Sequence, residues 1–361
     1  MQFFSSNRLF VQNEINSTTF EKEKKLGQSV YKQLPSSDDY LNARDLTTAT
    51  VKEESVFITC LVPLQLKVVE TGQILWTCPK PGSPNYCRPV RIRFIKETKE
   101  TIEEEEKQIE KEIIETNEKF IEVQGFSVDF EYHMSMLDGK CTTILSKETN
   151  CYASCPICGI KAAEMKDKEK IEAYKKKVKP ENLKYCLSTL HCWIRSFEFL
   201  LHVGYKSRVK TWQIKKNTIE HDMVQARKSE IKNELYQKFG LKVDQPRADG
   251  AGNSNDGNCA RTFFKNYQQV SQILDVNEEI VKRIYVILCL VCCKSEVDIP
   301  KFKQYCEDTQ DLILREISWH PTSSSVHKLI NHASAVMESL EIPLGYMTEE
   351  ALEVKYCKID C

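Results

Sequence analysis

Two pairs of residues in this sequence have the types and spacing to hold a metal ion. Near the middle stands Cys155-Pro156-Ile157-Cys158-Gly159, and near the end His327-Lys328-Leu329-Ile330-Asn331-His332. Two thiolates and two imidazoles are a donor set that tetrahedral zinc prefers. A Cys-x-x-Cys spacing followed by glycine lets both sulfurs face one ion across a tight turn. The histidine pair says less by itself. On an ideal helix a five-residue offset turns two side chains about 140° apart. His327 and His332 therefore converge only if the first turn is distorted or His327 stands at the helix start. Blander readings stay open for each half: two buried cysteines, and two polar residues at a helix boundary. If one ion joins all four, its role is structural, because four protein ligands leave no position for a reacting water. The segment between the pairs is then an insertion clamped at its base.

The pattern around these residues predicts the elements that would position them. Residues 325–340 read as a helix with a Ser-rich start and an apolar stripe of Val326, Leu329, Ile330, Ala333, Val336, Met337 and Leu340. From Cys158 onward the chain reads as mainly helical. Residues 171–179 are basic and solvated, 187–205 apolar, and 218–240 amphipathic with Gly240 as C-cap. Three further helices are expected over 270–274, 277–291 and 301–317. Upstream, residues 56–62 and 64–69 read as extended, 70–73 as a turn and 74–76 as the returning strand. Residues 90–95 alternate apolar and basic side chains, as a half-buried strand does, and 126–133 read as another strand. Between them, residues 97–120 are a highly charged helix with Ile102, Ile109, Ile113 and Ile114 on one face. Residues 1–50 are polar and weakly periodic. Strands followed by helices place the chain in the α/β class.

Composition narrows the function. The formal net charge is -1 over 361 residues, so the chain is not a globally basic nucleic-acid binder. No apolar run is long enough to cross a membrane. The opening residues, Met1-Gln2-Phe3-Phe4-Ser5-Ser6-Asn7-Arg8, do not form a secretory signal, and the expected location is intracellular. Sixteen cysteines are many for a reducing compartment. Most read as small buried hydrophobes, Cys289, Cys292 and Cys293 among them. Cys78 and Cys87 flank a Pro/Gly loop and read as structural.

The order of landmarks along the chain carries a resemblance. It runs from Cys87-Arg88-Pro89-Val90-Arg91-Ile92-Arg93-Phe94 through Cys155-Pro156-Ile157-Cys158, Leu190-His191-Cys192 and Leu241-Lys242-Val243. It continues through Gly257-Asn258-Cys259-Ala260-Arg261 to the His327–His332 segment. This series resembles the catalytic core of the V(D)J recombination-activating protein 1 family and of the related Transib transposases, over roughly residues 27–357. The resemblance implies a ribonuclease-H-like transposase core interrupted by a mainly helical zinc-binding insertion. Residues 1–54 are then a truncated or irregular N-terminal segment, 55–150 part of the core, 151–335 the insertion, and 336–361 a C-terminal helix of the core. It also implies DNA cleavage and strand transfer by two magnesium ions. Two such cations a few ångströms apart need clustered carboxylates to hold them.

The family's three acids match this sequence incompletely. The segment resembling Leu26-Gly27-Gln28-Ser29-Val30-Tyr31-Lys32 is preceded by Glu21-Lys22-Glu23-Lys24-Lys25, with no Asp. Near the second position stands Lys96, with Glu97 next, and a lysine there puts a cation where magnesium should bind. The third falls in Thr348-Glu349-Glu350-Ala351-Leu352-Glu353, so Glu349 or Glu353 matches it. Glu97, Glu349 and Glu353 are therefore the candidate catalytic acids. Asp129 and Asp138 substitute only under a realignment, and Asp138-Gly139-Lys140 reads first as a turn. The missing first acid also raises the expectation of a truncated gene or element.

DNA binding requires Lys and Arg aimed at phosphates. The candidates are Lys206, Arg208, Lys210, Lys215 and Lys216 around Trp212, then Arg91 and Arg93 on one strand face with Arg88 nearby, and Arg261 beside the Gly/Asn loop. Each set also reads as an ordinary solvated face. The expectation is a nuclear, domesticated-transposon protein that takes structural zinc, binds DNA and cleaves it poorly. It would need magnesium only if active, and a second copy or a partner protein is compatible with it. Two alternatives stand beside this: an active magnesium-dependent endonuclease and strand-transferase, and a zinc-ordered interaction protein without a nucleic-acid role.

Overall fold

A computed structural model describes residues 2–12, 56–94 (positions 82, 84, 85 and 87 aside), 98–117, 121–123, 126–135, 141, 144–146, 154–183, 187–246, 253–340 and 342–347. The chain forms two compact units. One takes Met1–Leu145, Lys184–Cys186 and Tyr346–Cys361, the other Ser146–Leu183 and Leu187–Gly345.

The first unit is built on a mixed sheet of six strands: β1 (Gln2–Gln12), β2 (Val56–Val68), β3 (Ile74–Thr77), β4 (Arg88–Phe94), β5 (Ile121–Val123) and β6 (Phe126–Ser135). Their order is β3-β2-β1-β6-β5, with β4 also on β2. β2 is the spine. One of its edges runs parallel to β1, and the other is shared by β4 along Val56–Leu61 and β3 along Gln65–Lys67, both antiparallel. Pro63 falls in the gap between those two partners, and the pairing with β1 shifts register just beyond it. A residue without an N–H is tolerated at such an interruption. The two extended runs read from the sequence are thus one strand. It is covered on both faces, with Cys60, Val62, Leu64, Leu66 and Val68 buried on one and Thr59, Pro63 and Gln65 on the other. Leu66, Val68, Leu75 and Val128 form a core on which Trp76, Phe126 and Phe130 pack. The polar opening residues, read as irregular, supply β1, whose sequence QFFSSNRLFVQ carries no acidic residue.

Helix α1 (Lys99–Asn117) is the charged helix of this unit. Ile102 and Ile109 are buried as read, but Ile114 is 62 % exposed. The buried stripe is completed instead by Glu105, a carboxylate with no exposure at all.

The second unit is helical. It contains α2 (Lys168–Lys175), α3 (Pro180–Leu183), α4 (Thr189–Lys206), α5 (Ile219–Phe239), α6 (Gly257–Lys265) and α7 (Tyr267–Leu274). It continues with α8 (Glu278–Val291), α9 (Ile299–Glu316) and α10 (Ser324–Glu338). α4 buries Leu190, Trp193, Phe197, Leu200 and Leu201 among others, on most of its circumference, as an interior helix must. Phe197 meets Phe263 edge-on at 4.8 Å, and Trp193 meets Phe264 at 5.7 Å. Side-chain N-caps start α4, α5, α6, α8, α9 and α10 at Ser188, Thr218, Asp256, Asn277, Asp298 and Ser323. Gly240 ends α5 at φ +68°, in the C-cap role expected of it. On α8 the buried face is Ile280, Ile284, Ile287, Leu288 and Val291, which leaves Cys289 exposed and Cys292 and Cys293 half-buried, contrary to their reading as core. The boundary expected at residue 335 falls inside α10, and the unit runs on to Gly345, with Leu344 buried. Among the described residues no helix is long and apolar enough to cross a membrane.

Candidate metal centre

Cys155 and Cys158 sit on a hairpin turn that precedes α2. Ser154 and Lys161 pair as an isolated antiparallel bridge, Cys155 N donates to Ile160 O at 2.8 Å, and Gly159 N donates to Cys155 O at 2.7 Å. Gly159 takes φ +79°, a conformation that a side chain would strain. The turn is held from outside: Asn182 Nδ2 donates to Pro156 O at 2.8 Å, and Ser324 Oγ donates to Ser154 O at 3.2 Å. The second of these bonds comes from the first residue of α10, so the knuckle is tied to the start of the helix that carries the histidines.

His327 lies in the first turn of α10, four residues past the Ser323 cap, and donates its backbone N–H to Ser323 O at 2.8 Å. The helix start was the arrangement that could let the pair converge. His327 and His332 do so, with ring centroids 5.1 Å apart and planes at 70°. All four side chains are buried, and one ligand atom from each lies within 4.8 Å of the other three. Cys158 Sγ stands 3.5 Å from His327 Nε2. A tetrahedral zinc with ordinary Zn–S and Zn–N bonds sets that edge at about 3.6 Å.

The donor set fits a divalent ion in three further ways. His332 Nε2 is buried with no hydrogen-bond partner, as a nitrogen awaiting a metal would be. Burial pushes the Cys155 thiol up, but the neighbouring Cys158 thiol and the imidazoles of His332 and His327 outweigh it and hold Cys155 well below the usual thiol range. Cys158 is pushed far up, by its hydrogen bond with Cys155 and by burial. A zinc ion would balance two thiolates, and its binding would release whatever protons they carry. Burial depresses His327 to about 4, against the raising effect of Cys155, so near neutral pH its ring is unprotonated and fit to ligate. The four side chains could supply all the ligands of one tetrahedral ion.

The other residues singled out in the sequence fare differently. Glu97, Glu349 and Glu353, with Lys96 and Asp138, lie outside the described residues. Asp129 is on β6, opposite Phe10 of β1. Arg91 and Arg93 do share a strand face, but that face meets α1. Arg91 pairs with Glu105 and Glu112, and Arg93 pairs with Glu105 at 2.7 Å. Thr59 Oγ1 also donates to Glu105, at 3.1 Å. Their charge is engaged within the fold. Arg208 forks onto Glu230 at 3.1 and 2.8 Å. Lys206 Nζ donates to Trp212 O at 2.7 Å, and burial lowers its pKa. Arg261 lies over the Trp193 ring at 5.7 Å. Lys210, Lys215 and Lys216, on the connection from α4 to α5, are exposed and have no ion-pair partner among the described residues. Of the cations that could meet phosphates, these three keep their charge at the surface.

The sequence alone gave no sign of Asn182, Ser324 or the amide of Asn331, which surround the metal ligands. Compared with known proteins, the chain matches no family model and no curated protein sequence.

Proposed function

We propose that this protein is a zinc-ordered relative of the recombination-activating protein 1 and Transib transposase cores that binds DNA and is impaired in DNA cleavage. The observation that carries the reading is the meeting of Cys155, Cys158, His327 and His332, two pairs 169 residues apart in sequence, in one buried cluster. A compact zinc finger has no need of such separation, whereas a helical insertion clamped at its base does. Under this proposal the sheet unit corresponds to a ribonuclease-H-like core. Zinc holds the helical unit together and takes no part in chemistry. Lys210, Lys215 and Lys216 supply the phosphate contacts, and the location is nuclear. The lysine in the Lys96–Glu97 pair weakens magnesium binding, which accounts for poor cleavage.

The test begins with metal content. Purified without chelator, the chain should hold about one zinc. Cys155→Ser with Cys158→Ser should release it and unfold the helical unit, and a variant that stays folded without metal would sink the structural role. A gel-shift assay on duplex DNA should show binding that falls steeply with salt and weakens when Lys210, Lys215 and Lys216 become Glu. A second reading, a zinc-ordered interaction protein, is favoured by the internal pairing of Arg91, Arg93 and Arg208. It predicts no shift at any salt concentration. Magnesium- or manganese-dependent nicking of labelled duplex would instead favour an active endonuclease.

A further inference from the structure

A zinc ion in the proposed centre leaves one nitrogen of His327 to be satisfied, and the role of Asn331 rests on that zinc. Nε2 faces Cys158 Sγ at 3.5 Å, so it is the nitrogen turned to the ion. A neutral imidazole that gives Nε2 to a metal carries its proton on Nδ1, and such a ring almost always donates that proton to a fixed acceptor. Here Nδ1 lies 3.2 Å from the side-chain amide of Asn331, one helical turn along α10.

As placed, the amide turns its nitrogen to Nδ1, so a donor would meet a donor. The same nitrogen is 2.8 Å from Gln310 Oε1 and 3.2 Å from His327 O, three neighbours for two protons. Meanwhile Asn331 Oδ1 and Gln310 Nε2 are buried without partners. The oxygen and nitrogen of an amide exchange places by a half-turn about one bond, and the hydrogen-bond network decides between the two placements. Turning both amides gives Asn331 Oδ1 two donors: Nδ1–H of His327 and Nε2–H of Gln310, over the same two distances. The turn gives up the bond to His327 O, which then faces Asn331 Oδ1 at 3.2 Å. It also moves Asn331 Nδ2 and Gln310 Oε1 into the two partnerless places, so only the proton on His327 Nδ1 in the zinc-bound ring decides for it.

We infer that Asn331, braced by Gln310 of α9, is the positioning residue of the metal centre. In the zinc-bound protein its amide oxygen accepts the Nδ1 proton of His327 and fixes the ring in the tautomer that ligates through Nε2. Gln310 is 3 % exposed, so this link anchors the ligand to a second helix from inside the unit.

The test uses the full chain. Zinc affinity is measured by competition with a chromophoric chelator, and geometry by the visible spectrum of the cobalt(II) form. Asn331→Leu keeps the volume and removes the acceptor, and should weaken zinc about 10- to 100-fold and alter the cobalt spectrum. Asn331→Asp keeps an acceptor and should retain most of the affinity and the parent spectrum. In the zinc-bound parent, nitrogen NMR should show His327 protonated at Nδ1, a reading that needs no variant to fold. Asn331→Leu binding zinc as tightly as the parent, equal losses in the Leu and Asp variants, or an unprotonated Nδ1 would each overturn the inference and leave the zinc centre standing. A parent chain that takes up neither zinc nor cobalt would overturn the centre itself, and the inference with it.

Discussion

His320 is a buried imidazole that the metal cluster does not use. It is 8 % exposed, with Nδ1 at 2.8 Å from Pro321 O and rings of Phe199 and Trp319 against it. Burial pushes its pKa down to about 4. Pro321 O opposes the shift, and the charges of Lys206 and His202 add to it. In the fold it is therefore unprotonated over most of the acid range, while the unfolded chain takes up a proton below about 6.5. The unfolded state binds more protons between those values, so stability is lost as pH falls from about 6.5 to about 4 and is unaffected above. His320→Gln has no proton to gain. Its stability deficit relative to the parent, measured by urea unfolding of the zinc-loaded chain, should shrink by about 1 kcal/mol between pH 7.5 and pH 5.5. The metal ligands titrate alike in both proteins, so they cancel in this difference. A deficit that stays constant over that range would show that His320 takes up its proton without leaving the core.

At the scale of elements, β4 and α1 are joined by charge where a sheet and a helix more often meet through apolar side chains. Glu105 stands between Ile102 and Ile109 on the buried stripe of α1, with Arg91, Arg93 and Thr59 around it. The arginines are 23 % and 34 % exposed, so water screens them in part and the carboxylate hardly at all. Removing one member of such a cluster costs more than replacing all of it, because the remaining charges lose their partner. Glu105→Leu should destabilise the sheet unit by about 3 kcal/mol, and Arg91→Met with Arg93→Met in the same chain should recover most of the loss. Chemical unfolding of the three proteins measures both; a single variant as stable as the parent would contradict the clamp. Helical spacing from Ile102 and Ile109 puts Glu105 and Glu106 on the apolar face and Glu103 and Glu104 off it, but only the partners on β2 and β4 distinguish Glu105 from Glu106. The same limit hid β1, whose polar centre gives no alternation to read. It hid Asn182 and Gln310 too, whose bonds reach across 26 and 21 residues. What was legible depends on local chemistry: the extended runs of β2, the Gly240 cap and the Cys155–Cys158 knuckle, whereas the spacing of His327 and His332 left their convergence open until the start of α10 brought them together.

Over the whole molecule, the metal pairs divide the chain unevenly between its units. All four ligands belong to the helical unit, and Cys158 and His327 close a loop of 169 residues. Bringing the ends of such a loop together costs about 4–5 kcal/mol of chain entropy. Structural zinc in small domains supplies about 10–16 kcal/mol at neutral pH, so under the proposed function the ion would more than offset that cost. The hairpin of the cysteines and the first turn of α10 bury Ile157, Ile160 and Val326 beside the ligands, but only an ion would join the sulfurs to the imidazoles. Stripping the ion with excess chelator should therefore raise amide exchange most in residues 154–161, α2 and the start of α10. It should spread next to α9 through the Gln310–Asn331 link and change β2 and β6 least. Hydrogen exchange read by mass spectrometry, with zinc added back to restore protection, measures this order. Equal deprotection of the sheet and the helical unit would mean that the ion does not act where its ligands lie. No change in either would mean that the cluster is held by packing alone, and the buried, unpartnered nitrogen of His332 would then have to be satisfied by something other than a metal.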